Sequence, residues 1–199
     1  MNSRAAAKAS RWILLAGLAV LALVMAGLYY GFPGPARLDQ AAASFKREVL
    51  RLINTNRREL GRLAAASDRQ AARQRIAALV AAGKREQAPS VYGLALVDAG
   101  GTILAVEAPG GDPLLKSYIA MLQANRVRIP KVVSDALRQG RITSARLYMQ
   151  DGSQLWVVCS PLRRGRKIVG ALLVGFSGQR CRIRRGLTGE QFEAIDFNH

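Results

Sequence analysis

The chain is poor in the residues on which most catalytic and metal centres are built. It has one histidine, His199 at the C-terminus, two cysteines, Cys159 and Cys181, and no CxxC or CxxCH pair. Those absences exclude the usual zinc and haem patterns and count against a Ser-His-Asp or Cys-His mechanism. Neither an enzyme nor a cofactor is expected. Two cysteines are too few for a disulfide framework, although an oxidising compartment would permit one bridge. Acidic residues are also scarce, 13 against 30 Lys and Arg, for a net charge of +17. Aromatics make up 6% of the chain. They are not interleaved with the basic residues as in a platform for stacking single strands, so no nucleic-acid partner is expected.

Charge is absent altogether between Trp12 and Ala36, and the run from Ile13 to Phe32 is apolar. A helix needs about 20 such residues to cross a hydrocarbon core. Arg4, Lys8 and Arg11 precede the run and Tyr29 and Tyr30 stand near its far end. Basic residues before a span favour an inside N-terminus, and tyrosines suit the interface. The expected layout is a cytoplasmic N-terminus over 1–11 and a lipid-embedded anchor over 12–32. The remainder is expected on the periplasmic, extracytoplasmic side of a bacterial inner membrane. A cleaved secretory signal competes, but the run exceeds the roughly 7–15 residues of a signal core. An inverted topology is the third alternative, and a large domain translocates largely regardless of its charge.

Three of the basic residues precede the run, so the rest of the chain keeps a net charge of +14. Such an excess attracts anions, and arginine suits bidentate carboxylate or phosphate contacts. Pro33, Gly34 and Pro35 end the first helix. A helical stalk is expected over 33–86. In its first part Phe45, Val49, Leu52, Leu60 and Leu63 recur every three or four residues, and Asn56 shares their stripe. A buried Asn can set register in a parallel coiled coil, and so in a homodimer through the stalk. A helix lying on its own sheet explains the stripe as well. Ser67 to Gln70 has capping-box form and starts a second helix that runs to about Gly83.

From Val91 the period becomes strand-like. VYGLALVD, a turn at Gly100 and Gly101, and TILAVEA predict a hairpin. Helices are expected over 113–124 and 130–137, closed by Gly140. ITSARLYM, QLWVVCSPL and KIVGALLVGF, joined by turns at 150–153 and 163–166, predict a three-stranded meander. The class is therefore α+β: an N-terminal transmembrane helix, a helical stalk, and a five-stranded antiparallel sheet covered by helices. Simple turns pair Leu147 with Trp156 and Cys159 with Gly170. One face then holds Ala145, Leu147, Met149, Trp156, Val158, Ala171 and Leu173, an apolar surface for a long helix. The other holds Ser144, Arg146 and Tyr148 with Val157, Cys159, Gly170 and Leu172. A buried arginine needs a partner or a ligand. Arg146 is expected to pair with an acid such as Asp98 or Glu107, to lie exposed near the strand edge, or to hold a small carboxylate or other anion together with Tyr148 and Ser144. Lys116 and Tyr118, on a covering helix, are further ligand candidates.

This order of elements resembles the extracytoplasmic Cache sensor domains, the PAS-like modules of bacterial receptors and chemoreceptors. The segment VVCSPLRRGRKIVGALLVGFS, Val157 to Ser177, is similar to that family's final hairpin and last strand. LVDAGGTILA, Leu96 to Ala105, looks like its first strand pair, and LRQGR, Leu137 to Arg141, like the segment before its third strand. The resemblance covers roughly residues 38 to 177. It implies a PAS-like sensor domain over 87–178, a ligand pocket between sheet and covering helices, and a sensory role. Members usually continue into a second membrane helix and an output module. Here a basic tail follows over 179–199, with a capping box at Thr188 to Gln191 announcing a short helix. A signal would then pass through a partner protein.

Roadblock and profilin-like dimerisation modules share the element order and stand as an alternative fold, as does a structural subunit of an envelope complex for function. A last reading is electrostatic binding to anionic lipid or polymer. It would use Arg163, Arg164, Arg166 and Lys167 with Arg180, Arg182, Arg184 and Arg185, should they converge.

Overall fold

A computed structural model describes residues 35–85, 93–108, 131–148 and 152–199. The chain divides into two compact units, Met1–Leu38 and Asp39–His199. Of the first, only the opening turn of helix α1 is described. The anchor expected over 12–32 lies outside the described residues, and among those described no helix is long and apolar enough to cross a membrane. The elements are α1 (Pro35–Ala66), α2 (Arg69–Arg85), β1 (Gly93–Asp98), β2 (Ile103–Glu107), α3 (Lys131–Gln139), β3 (Thr143–Tyr148), β4 (Gln154–Arg164), β5 (Lys167–Ser177), α4 (Gly178–Arg185) and α5 (Gly189–Ala194). The five strands form one antiparallel sheet in the order β2-β1-β5-β4-β3. The α+β sheet with covering helices is the expected one.

Helix α1 buries Phe45, Val49, Ile53, Asn56, Leu60 and Leu63 along one stripe. That stripe enters the core formed with Leu94, Leu96, Trp156, Val158, Leu172, Val174 and Phe176 of the sheet. The stripe is covered within its own chain, as the reading of a helix lying on its own sheet expects. Asn56 serves no seam. Its Nδ2 donates to the Leu52 carbonyl at 2.8 Å, and its Oδ1 accepts from Arg75 of α2 at 2.9 Å. The break between the helices falls one residue from the expected cap. Ser67 has φ of 51°, a left-handed stop, and its N–H reaches the Ala64 carbonyl. Asp68 is the cap of α2, its Oδ1 accepting from Ala71 N at 3.0 Å.

Asp98 organises the β1–β2 turn, accepting from Gly100 N at 2.9 Å and Thr102 N at 2.8 Å, while Gly101 takes φ of 82°. Gly170 of β5 sits where β1 and α1 press closest. A Cβ there would lie 2.2 Å from the Val97 carbonyl oxygen and 2.8 Å from Ala64 Cβ.

The meander has a different register from the one simple turns predict. Tyr148 pairs with Gln154, so the β3–β4 loop is one residue longer, and Leu147 faces Leu155 rather than Trp156. Between β4 and β5 the turn tightens to Gly165 and Arg166, and a bulge at Leu162/Arg163 follows, so Cys159 faces Leu173 rather than Gly170. A slip by an odd number of residues moves every side chain to the other face. The helix face therefore carries Trp156 and Val158 as expected. It also carries Arg146, Ser144, Gly170 and Leu172 in place of Leu147, Ala145, Ala171 and Leu173.

The C-terminal segment is no loose tail. Ser177 caps α4, Gly186 ends it at φ of 65°, and Thr188 and Gln191 form the expected capping box of α5. Cys181, Leu187, Phe192 and Phe197 are buried in the core beneath α1. Phe192 stacks on Trp156 with ring centroids 4.9 Å apart, and meets Phe45 edge-on at 6.0 Å. Stalk helices, sheet and C-terminal segment share one core.

Candidate functional site

Arg146 is paired with an acid of the C-terminal helix. The register sets Arg146 opposite Trp156, so it projects on the α1 side and reaches the C-terminal helix. There its Nε and Nη2 donate to the two carboxylate oxygens of Glu193, each at 2.6 Å. The Glu193 hydrogen bond, opposed by partial burial, raises the guanidinium pKa further above its ordinary value. Gly189 makes room for this fork, since a Cβ there would lie 2.3 Å from Arg146 Nη1. Neither acid expected as its partner is involved. Asp98 holds the β1–β2 turn, and Glu107 is exposed at the end of β2. Tyr148 is 65% exposed, Ser144 is half-buried at the sheet margin, and Lys116 and Tyr118 lie outside the described residues. Sequence reasoning missed Glu193. The capping box at Thr188 placed the helix that carries it, but nothing local joins residues 47 apart.

The opposite face of the sheet has another character. Ala95 and Val97 of β1, Leu155, Val157 and Cys159 of β4, and Ala171 and Leu173 of β5 form a second apolar cluster, flanked by Ala145 and Leu147. Helix α3 lies over β3, β4 and β5 with Val132, Val133 and Ala136 buried, and Thr143 Oγ1 anchors it by donating to the Val132 carbonyl at 2.7 Å. The outer side of α3 is polar, with Asp135 between Lys131 and Arg138 at 2.7 and 2.9 Å. Hydrogen bonding from Lys131 leads in drawing the Asp135 carboxyl below its usual pKa. On the inner side, burial pushes the Cys159 thiol up to about 12. Such a face is an aliphatic floor, with Ala95, Ala145 and Ala171 among its side chains.

The helix face is closed by comparison. Its charged groups are tied down in pairs: Arg185 of α4 to Glu48 of α1, with the guanidinium also over the Phe45 ring at 5.7 Å, and Arg75 to Glu59 at 2.8 Å. Lys46 donates to the His199 backbone carbonyl. Cys159 and Cys181 are buried free thiols in different clusters, one on each side of the sheet. Nor do the eight basic residues converge. Arg163, Arg164, Arg166 and Lys167 stand at the start of β5, and Arg180 to Arg185 follow its end, with the 11-residue strand between.

No family model matches the chain, and no curated protein matches it. Solved structures do. The ligand-binding domain of the amino acid chemoreceptor PctC of Pseudomonas aeruginosa PAO1, in complex with GABA, is 14% identical, with a TM-score of 0.42 over 73% of this chain and 59% of that one. The sensory domain of the Campylobacter jejuni chemoreceptor Tlp3 is 13% identical, with a TM-score of 0.45 over 74% of this chain and 60% of that one. The Tlp3 ligand-binding domain with L-norvaline is 11% identical, with a TM-score of 0.37 over 73% and 59%. The chain thus spans about three-fifths of the length of these solved chains. These three solved structures are ligand-binding or sensory domains of chemoreceptors.

Proposed function

We propose that this chain is a membrane-anchored, extracytoplasmic, non-enzymatic sensory module that binds a small molecule on the apolar face of its sheet and signals through a partner protein. The observation that carries the reading is the asymmetry of the sheet. One face is filled by α1, α4 and α5, while the other is an aliphatic floor under the short helix α3. A floor of this kind takes the hydrocarbon part of a ligand, and polar groups at the rim fix its orientation. The apolar run from Ile13 to Phe32 supports the anchor, and Arg4, Lys8 and Arg11 before it support the side of the membrane.

The test is thermal unfolding of the full chain in an uncharged detergent, followed by fluorescence and run against amino acids, short carboxylates and amines. A ligand that binds only the folded state raises the midpoint with concentration. Ala145→Phe, which fills the floor at a half-buried position, is expected to abolish the response. Arg146→Ala is expected to lower the starting midpoint and leave the response intact. A response lost in Arg146→Ala but kept in Ala145→Phe would place the ligand on the other face and overturn the assignment.

A structural role in an envelope complex is the second reading, supported by the filled α1 face and by the pairing of Arg146 with Glu193. It predicts no response to any small molecule and a stable complex with a protein partner.

A further inference from the structure

The acids of α1 beyond residue 40 are both engaged by arginines from other elements, Glu48 by Arg185 and Glu59 by Arg75. Along the outward side of the helix Arg47, Arg51, Arg58 and Arg62 are exposed. None of the four has a hydrogen-bond or ion-pair partner among the described residues. The helix is thus cationic outside because its carboxylates are used inside.

Arg58 and Arg62, one turn apart, form one wall of a groove of about 670 Å³. Arg163, Arg164 and Gly165 of the β4–β5 hairpin form the other wall. Arg163 donates to the Gly140 and Arg166 carbonyls, which fixes the hairpin and leaves its own guanidinium occupied. Glu59 also lines the groove, but Arg75 neutralises it at 2.8 Å. The groove therefore holds the guanidinium groups of Arg58, Arg62 and Arg164, which have no partner among the described residues. A second hollow of about 400 Å³ shares Arg164 and is lined by Lys167 and by Asp98, whose carboxylate is engaged by the Gly100 and Thr102 amides. Like charges held around one concavity repel, and an anion reverses the sign of that energy. A guanidinium binds phosphate through two parallel hydrogen bonds. A carboxylate offers two acceptor oxygens, whereas adjacent phosphates offer more and carry more charge for several arginines at once.

We propose that the groove between α1 and the β4–β5 hairpin binds a phosphate-rich anion, with Arg58, Arg62 and Arg164 as its ligands. The site is independent of the sheet face proposed for the sensed molecule, so either assignment can fail alone. Its chemistry fits a free oligophosphate or the headgroup of an anionic phospholipid.

The test uses the full chain in uncharged detergent, with tripolyphosphate as one probe and short-chain dihexanoylphosphatidylglycerol as the other. Thermal unfolding is measured at two ionic strengths. The wild type is expected to be stabilised by at least one probe, with affinity falling as salt rises. Arg58→Glu with Arg62→Glu is expected to weaken that probe by at least about tenfold, because charge-assisted contacts become repulsive. Arg180→Glu with Arg184→Glu makes the same change in net charge at the far end of β5 and is expected to leave affinity nearly unchanged. A response to tripolyphosphate identifies a free phosphate ligand, and a response to the lipid alone identifies a headgroup. Equal weakening in both double variants reduces the effect to net charge and overturns the site, as does no weakening in the first or no response to either probe.

Discussion

Cys159 shows how much of a residue's behaviour is decided by where its strand places it. In the sequence it is a thiol in an apolar run. In the fold it lies on the floor of the second face, and burial pushes its pKa up to about 12 from 9.0. The folded state therefore keeps a proton that the unfolded chain gives up near the ordinary value. The stability this contributes is complete below about pH 9 and is lost as pH rises toward about 12. The midpoint difference between wild type and Cys159→Ala is expected to shrink across that window, measured by thermal unfolding at stepped pH. In folded protein at pH 8 the thiol is expected to resist maleimide. Rapid labelling there would show that the face opens to water. Arg146 makes the complementary point. Its residue type predicted that a buried charge needs a partner, and it has one. Which acid serves followed from the register and from a helix 47 residues away.

At the scale of elements, periodicity was legible and register was not. The α1 stripe, the five strands, the Asp98 turn and the Thr188 capping box follow from local pattern, because each depends on residues within a few positions. The break at Ser67 was legible in place but not in chemistry, since Asp98-like local bonding belongs here to Asp68. Register depends on loop length and on a bulge, and a bulge has no reliable local signature. Two glycines at the α1–sheet contact provide the test of packing. A Cβ on Gly61 would lie 3.5 Å from the Arg163 carbonyl oxygen, an ordinary contact. Gly61→Ala is expected to stabilise by about 0.5–1 kcal/mol through helix propensity. Gly170→Ala would put its Cβ 2.2 Å from the Val97 carbonyl oxygen. It is expected to destabilise by about 1–3 kcal/mol, as overpacking does. Denaturant midpoints of the two variants check both signs.

For the whole molecule, the C-terminal segment matters most. Read along the chain, residues 179–199 are a basic tail with a short helix. In space Cys181, Leu187, Phe192 and Phe197 complete the core under α1, and Arg185 and Glu193 tie it to Glu48 and Arg146. Truncating a buried Phe costs about 3–5 kcal/mol, and a domain has only about 5–15 kcal/mol in all. A chain ending at Ser177 is expected to lose cooperative unfolding, seen as a broad, non-sigmoidal fluorescence transition. A sharp transition near the wild-type midpoint would mean that the segment is dispensable.

Local pattern was enough for what short-range chemistry controls: an apolar run of membrane-spanning length, amphipathic helices, apolar strands, turns, caps, and a scarcity of catalytic side chains. Those features depend on spacing along the chain, which a sequence displays directly. The tertiary structure alone decided which sheet face meets α1, which acid meets Arg146, whether the two cysteines can meet, and that the tail belongs to the core. Each of these depends on loop geometry and on residues tens to more than a hundred positions apart, such as Glu48 and Arg185. Contacts at such separation form only when the whole sheet has closed, so no segment carries them by itself.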